Sequence, residues 1–417
     1  MEFSAKSESR DYHLVDGVLQ TVKLTFLRQV IAASAALPVA IGIILLYPVR
    51  RYRLGVFPLD EIGPLARNPH HYVWDKFGAR PKMTSDWWVF RPDIFVSNAF
   101  VVDRWRQTIN IKEGWFYWYL SKIVLTIGGH RHAIAIKKRW SDFPSRDHEF
   151  MIRLDEVQSK EAWTLLEQIG IVPGVDFITL CVRDSSYKKV FRREPLLADV
   201  KESYRNNDIS DFTEMAEVVS ASGVSVVRMG AAVQEPFRVD VSGVIDYATS
   251  GRRSEMLDVH LMSNCKLCVS TSLGVDQLSA MSGRPRCIIN LFPYKTTASF
   301  YSWDTVTVQR LRNRESGLEL SLRESLDLLT SRQFRGMGTL DDAGVSLIRL
   351  TPEEIREVVI EALNEGPDHQ VLSRSDQNLQ DRYWEILYSF YGSNRVPPAL
   401  RPRISPNFLR KHERWLT

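Results

Sequence analysis

Arg183-Asp184-Ser185-Ser186 ends the apolar run "DFITLCV" and sets a cation, a carboxylate and two hydroxyls side by side. Similar groups recur after other apolar runs. "VSVV" leads into Arg228-Met229-Gly230, and "KLCV" leads into Ser270-Thr271-Ser272-Leu273-Gly274. A guanidinium can hold a phosphate bidentately. Hydroxyls ahead of a helix place exposed N–H groups and the positive end of the helix dipole against an anion. The chemistry these residues suit is phosphate or diphosphate binding. Each also has an ordinary reading: Ser and Thr before a helix serve as caps, and Arg183 can pair with Asp184. It is the coincidence of the groups that points to a ligand.

Other chemistries find little support. No G-x-G-x-x-G follows a strand-like run, and there is no P-loop. Gly336-Met337-Gly338 runs into "TLDDAG", which does not fit either motif. No D-x-D occurs, so the usual carboxylate pair for a metal-bridged diphosphate is missing. His70–His71 and His130–His132 lack a third ligand at zinc-like spacing, and no metal cofactor is expected. The formal charge of +4, with Lys and Arg interspersed among Asp and Glu, argues against a nucleic-acid partner.

The elements that must position these residues follow from periodicity. From residue 177 onward, strand-like and helical runs alternate. "DFITLCV", "VSVVR", "VIDYA", "KLCVST" and "RCIINLF" read as strands. "DFTEMAEVVSASG", "RSEMLDVHLMSN" and "GVDQLSAMSG" read as helices, the first closed by Gly223, the second capped by Ser254 and the third ending at Gly283. Thr351 and Glu354 make a capping box around Pro352, and Gly366 stops that helix. This alternation means a parallel sheet with crossover helices, in which ligands sit outside the carboxyl ends of the strands. Residues 183–186, 228–230 and 270–274 all fall at that edge.

Upstream, residues 54–170 are rich in aromatics, with strand-like runs "WWVFR" and "IFVSNAFVV", a helix around 160–169, and an apolar stretch, 115–127, that reads as core. "VPGVD" at 172–176 is a turn signal and a natural boundary. The organisation expected is an N-terminal segment 1–50, a first domain 51–172, a second domain 173–370 and a tail 371–417 that packs back on the body. Cys181, Cys265, Cys268 and Cys287 sit in or near apolar runs, as buried free thiols do. Cys265-x-x-Cys268 reads as packing: its first Cys ends a helix instead of starting one.

Gln29–Val49 carries no charge for 21 residues and is followed by Arg50, Arg51 and Arg53. As a helix it would run about 31 Å, enough for a hydrocarbon core. Membrane association is expected, with Pro38 as a kink; a buried core helix is the alternative. Basic residues flank both ends, more tightly after the segment, which leans toward a cytoplasmic body. Leu14, Val15, Val18, Leu19, Val22 and Phe26 form an amphipathic stretch just upstream.

The segments "CVRDSSYKK", "SYRNNDISDFTEMAEVVSASGVSVVRMG", "DYATSGRRSEMLDVHLMSNCKLCVSTSLGVDQLSAMSGRPR" and "RISPNFLRKHERWL" resemble a family of bacterial glycosyltransferases linked to surface-polysaccharide and lipopolysaccharide loci. The first segment is also similar to the H-V-R-D-like arginine motif of fucosyltransferases that use GDP-fucose. The resemblance implies an α/β fold with two Rossmann-like domains (GT-B-like) and a nucleotide-sugar as co-substrate. It implies donor binding by Arg183, Ser185, Tyr204, Arg205, Asn206, Arg228, Gly230, Ser270, Thr271, Ser272 and Gly274. It further implies a glycan or lipid-linked acceptor and a place at the cytoplasmic face of the inner membrane, with a soluble cytoplasmic chain as the alternative. Asp184, Glu61 and Asp60 are the candidates for a catalytic base. The chain departs from the family at Cys181, where the H-V-R-D pattern has His, and at Glu61 and Pro64, where the opening motif has Arg and His around its Ile-Gly. Two other readings stay open: a non-catalytic glycan-binding or scaffold chain, and a nucleotide-dependent transferase without sugar chemistry.

Overall fold

The computed structural model describes residues 5–78, 83–135, 152–192, 203–331, 340–366, 371–392 and 396–417, with side chains from residue 24 onward except at 75–78, 192 and 203. Gly336–Gly338 and the side chains of the amphipathic stretch before residue 24 lie outside these. Two compact units emerge, Met1–Lys138 and Arg139–Thr417.

The first unit begins with a long helix, α1 (Ala5–Leu45), which continues through Pro38. Three parallel strands follow, β1 (Arg51–Val56), β2 (Thr84–Phe90) and β3 (Ile111–Glu113), in the order β1-β2-β3. Helices α2 (Ile62–Gly78) and α3 (Ala99–Thr108) connect them, and α4 (Trp115–Gly128) comes last. Across β1 and β2, Arg53 clasps Asp86 with both nitrogens at 2.7 Å, and Tyr72 donates to the same carboxylate at 2.6 Å. "WWVFR" falls in β2 as expected. "IFVSNAFVV" does not form a strand. Asn98 Oδ1 accepts from Val101 N at 2.9 Å, capping α3, whose buried Val101, Val102 and Trp105 follow helical spacing. The 115–127 stretch is α4, with Leu120 and Val124 buried and Ile127 exposed.

The second unit opens with α5 (Glu156–Glu167) and is built on a seven-stranded parallel sheet. Its strands are β4 (Phe177–Cys181), β5 (Ser225–Arg228), β6 (Val244–Ile245), β7 (Leu267–Ser270), β8 (Arg286–Leu291), β9 (Thr305–Val308) and β13 (Arg403–Ile404). Their order across the sheet is β6-β5-β4-β7-β8-β9-β13. The chain thus starts in the middle, winds to one side and then to the other, as in a doubly wound fold. α6 (Thr213–Ala221) lies between β4 and β5, α7 (Glu255–Asn264) between β6 and β7, and α8 (Asp276–Met281) between β7 and β8. Every strand read from the sequence here is present, and Ser254 caps α7 as expected, accepting from Leu257 N at 3.2 Å.

Past β9, the strands β10 (Arg310–Asn313), β11 (Glu319–Leu320) and β12 (Val345–Ile348) make a small antiparallel sheet. α9 (Leu322–Thr330), α10 (Pro352–Glu365) and α11 (Arg374–Tyr391) follow in the chain, α10 carrying the expected Thr351/Glu354 capping box and ending before Gly366. The tail does more than pack on the surface. β13 joins the main sheet beside β9, and α12 (Pro406–Lys411) is tied to α10: Glu361 accepts from Asn407 N at 3.0 Å, and His412 bonds Glu354 at 3.0 Å. Glu354 is held at about 2; burial alone would raise it, but the bond from His412, the Thr351 N–H and nearby Lys411 outweigh that.

Candidate functional site

The strand order reverses between β4 and β7, and such a switch point opens a crevice at the carboxyl end of the sheet. Three stretches far apart in sequence meet there. Arg183 N donates to Thr271 Oγ1 at 2.9 Å, and Thr271 N donates to Cys181 O at 3.0 Å. Asn207 N donates to Arg183 O at 3.0 Å, and Arg205 Nη2 donates to Ser272 O at 2.7 Å. The backbone of Arg183 is therefore clamped from both sides while its side chain stays half-buried. A single π-helical turn, Lys188–Arg192, follows in the chain and carries Lys188 and Lys189.

Asp184 is engaged at both oxygens. It accepts from Ser186 N at 2.8 Å and from Gln234 N at 2.7 Å, tying the 183–186 loop to residue 234. Ser185 gives its carbonyl to Lys189 N at 3.3 Å. Tyr204 lays its ring edge-on to Phe292, 5.5 Å between centroids, and its carbonyl accepts from Gln309 Nε2 at 3.0 Å. Asn206 is half-buried between Arg205 and Asn207.

Below these lies a buried amide relay. Asn290 Nδ2 donates to Asn207 Oδ1 at 2.9 Å, Asn290 Oδ1 accepts from Leu350 N at 2.9 Å, and Gln309 Nε2 reaches Asn290 O at 2.9 Å. Asn290 has φ +58°, a region Asn tolerates better than most residues. Asn207 and Gln309 carried no sequence signal of this role; their partners lie 83 and 105 residues away.

The 270–276 turn departs from the expected anion cradle. Ser270 is fully buried, and its Oγ donates to Asp276 Oδ2 at 2.7 Å while accepting from Ser272 N at 3.0 Å and Leu273 N at 3.3 Å. Leu273 N also reaches Asp276 Oδ2 at 3.0 Å. The amide of Leu273 thus faces a carboxylate that the chain itself supplies, and the amide of Ser272 is taken by Ser270 Oγ. Ser270 is a positioning residue, and Ser272, at φ +64°, offers its carbonyl to Arg205. Gly274 is exposed, and α8 begins only at Asp276.

Arg286 locks this turn from beneath. It reaches Asp276 at 3.3 Å and Asp304 at 2.5 Å, with its guanidinium over Phe300 and Tyr301 at 4.9 and 5.5 Å. Burial works against its charge, but the two carboxylates outweigh that and hold it firmly protonated.

Arg228, expected among the phosphate ligands, is only 1% exposed and pairs with Asp246 at 3.2 Å. Among the described residues its Nε has no hydrogen-bond partner. Asp246 is further fixed by Phe237 N at 2.9 Å and Thr249 Oγ1 at 2.7 Å. Gly230 is there for space: a Cβ would meet Val233 Cγ1 at 2.5 Å. Asp60 and Glu61 lie in the other unit, between β1 and α2, where Glu61 is exposed and its carbonyl accepts from Leu65 N at 3.0 Å.

A second carboxyl cluster lies past β6. Asp258 takes Tyr247 Oη at 3.1 Å and Arg253 Nη2 at 2.5 Å. Burial pushes it up to about 6, with Arg253 opposing. All four cysteines are free and buried, and burial lifts Cys265 to about 12. Among the described residues, no three His, Cys, Asp or Glu gather in metal-holding geometry.

No family model and no curated protein matches the chain. Solved structures that match include a glycosyl transferase of family 9 from Veillonella parvula, at 11% identity and TM-score 0.39, covering 76% of this chain and 98% of that one. Two from E. coli are also similar. The ADP-heptose lipopolysaccharide heptosyltransferase II has 10% identity and TM-score 0.37, covering 75% and 99% of the two chains. A heptosyltransferase with ADP has 12% identity and TM-score 0.28, covering 61% and 90%. Scores this low carry no functional weight, and the chemistry below is that of the chain's own residues.

Proposed function

We propose that the chain is a glycosyltransferase that binds a nucleotide-activated sugar at the switch point of the second unit's sheet. The observation that carries this reading is the meeting of Arg183, Arg205 and the Thr271–Ser272 turn through direct hydrogen bonds. These are the segments that resemble glycosyltransferases, and a crevice at a strand-order reversal is where α/β sheets take ligands.

In the reaction, an acceptor hydroxyl oxygen bonds to the anomeric carbon as the bond from that carbon to the diphosphate breaks. The nucleoside diphosphate leaves with the electron pair, and a carboxylate takes the hydroxyl proton. Arg183 and Arg205, with Lys188 and Lys189 on the turn that follows in the chain, offset the charge that grows on the leaving group, so the proposed reaction needs no metal. Asp184 and Glu61 remain the candidate bases. The acceptor is a glycan or a lipid-linked glycan of bacterial surface-polysaccharide synthesis. The site of action is the cytoplasmic face of the inner membrane, where nucleotide-sugars are available.

The test is release of nucleotide from a panel of UDP-, GDP-, ADP- and CMP-sugars, with and without glycan acceptors. Arg183→Ala is expected to lower turnover by about 10²-fold. Turnover equal to that of wild type would remove Arg183 from the site. One observation favours a second reading, a glycan-binding chain without turnover: Asp276 already fills the turn that would hold a phosphate. Glycan binding without any nucleotide-sugar binding, measured by calorimetry, would select it.

A further inference from the structure

We propose that the first unit docks on a lipid bilayer carrying anionic headgroups, through the outer face of α1 and a collar of arginines at its carboxyl end. This stands apart from the transfer reaction and uses none of its residues.

Among the described side chains of α1, from residue 24 onward, one side is covered by protein. Ala36, Ala40 and Ile43 are buried together with Leu120 and Val124 of α4 and with Leu54 and Val89 of the sheet. Tyr119 donates to Gln29 at 3.2 Å, and a Cβ on Gly128 would lie 3.3 Å from Ile44. The small side chains let the two helices approach closely. The remaining surface is apolar and open: Phe26 is 68% exposed, Ile31 60% and Leu45 73%, with Leu27, Leu37 and Ile41 exposed beside them. Over residues 24–45, the polar side chains on the exposed surface are Arg28 and Ser34. An apolar face of this extent marks an interaction site. Its 22-residue span, Leu24–Leu45, is about 33 Å long.

The collar identifies what covers this face. Arg51 and Arg131 lie over the Tyr47 ring at 5.6 and 5.1 Å, and Arg50 lies over Tyr52 at 5.5 Å. All three arginines are exposed and, among the described residues, none pairs with a carboxylate. Arg53, next to them, is spent on Asp86. Tyrosines and unpaired arginines at the end of an apolar helix match the headgroup layer, and the positive charge selects anionic lipid. A second copy of the chain would bring an identical cationic collar toward this one if it packed in register.

The test is flotation of the full chain with phosphatidylcholine vesicles, with and without phosphatidylglycerol. Wild type is expected to float with both, more tightly with the anionic ones, and to lose that difference as salt is raised. R50E/R51E should lower binding to anionic vesicles by roughly 20-fold or more and leave binding to phosphatidylcholine unchanged. I31D/I41D should abolish flotation on both, with a melting transition like that of wild type. Equal, salt-insensitive flotation on both vesicle types would overturn the collar. A wild-type chain that stays off vesicles, whether as a monomer or as a dimer in detergent-free buffer, would overturn the docking face itself.

Discussion

Two pairs of arginines in the second unit's sheet have opposite fates: Arg228 closes β5 and Arg286 opens β8, while Arg183 and Arg205 lie past the carboxyl end of β4. Arg228 and Arg286 are both 1% exposed, and each is neutralised by an aspartate 18 residues further on, Asp246 and Asp304. Arg183 and Arg205 are half-buried, and the bonds seen between them and the 271–272 turn use a backbone N–H and one guanidinium nitrogen. The first pair holds the sheet together through buried ion pairs; the second ties the 271–272 turn to the carboxyl end of β4. A strand-end arginine is thus no ligand candidate where a distant aspartate already meets its charge, as Asp246 does for Arg228.

The sharpest way to break this contrast is Arg286→Met. It would leave Asp276 and Asp304 buried without their cation, and removing one partner of a buried charge network costs about 3–5 kcal/mol. Urea unfolding should show that loss, and the 270–276 turn should lose its anchor too. A variant within about 1 kcal/mol of wild type would mean that the network is ornamental and the division of arginines false.

An intermediate case is Arg253, half-buried but facing the buried Asp258. Burial, opposed by Arg253, moves Asp258 from an ordinary 3.8 to about 6. Between those values the folded chain holds a proton that the unfolded chain has released. Stability therefore falls as pH rises from about 4 to 6, by an amount on the order of 2–3 kcal/mol. Asp258→Asn cannot ionise, and the difference between it and wild type across that window isolates the effect. If the two unfolding profiles run parallel from pH 4 to 7, Arg253 fully offsets the burial of Asp258, and half-buried arginines can neutralise as well as buried ones.

Arg228→Met should cost less than Arg286→Met, about 2 kcal/mol. Asp246 keeps two other donors, Phe237 N and Thr249 Oγ1, and is 13% exposed. Its donor affinity should follow wild type wherever the variant is folded. Donor binding lost at full stability would return Arg228 to the ligand set.

Much of this edge was legible in the sequence. Each apolar run that ends in charge or hydroxyl became a strand ending at the same edge, because period and length alone specify a buried parallel strand. What stayed hidden depends on partners distant in the chain. Nothing local shows that Arg228 is met by Asp246, delivered by β6. Nothing in "STSLG" shows that Asp276 turns back to accept from Leu273 N, so the turn reads as an open cradle. "IFVSNAFVV" misled for the converse reason: its composition suits a strand, while the single Asn98 cap starts a helix. β13 was missed because two residues in a Pro-rich run carry no period, and its place beside β9 is set by the tail's ties to α10.

The smallest effect on stability is expected where the functional effect is greatest. Arg205 donates to the Ser272 carbonyl at a partly exposed turn, so Arg205→Ala should stay within about 1 kcal/mol of wild type in urea. A charged hydrogen bond to a ligand phosphate is worth about 1.5–3 kcal/mol. Nucleotide-sugar affinity should therefore fall by roughly 10- to 100-fold while the melting transition barely moves. Calorimetry and thermal unfolding on the same preparation read both. Stability lost with affinity kept would put Arg205 with Arg228 and Arg286 as a structural cation. The proposed site would then rest on Arg183, and the contrast between the two pairs would narrow to β4 alone.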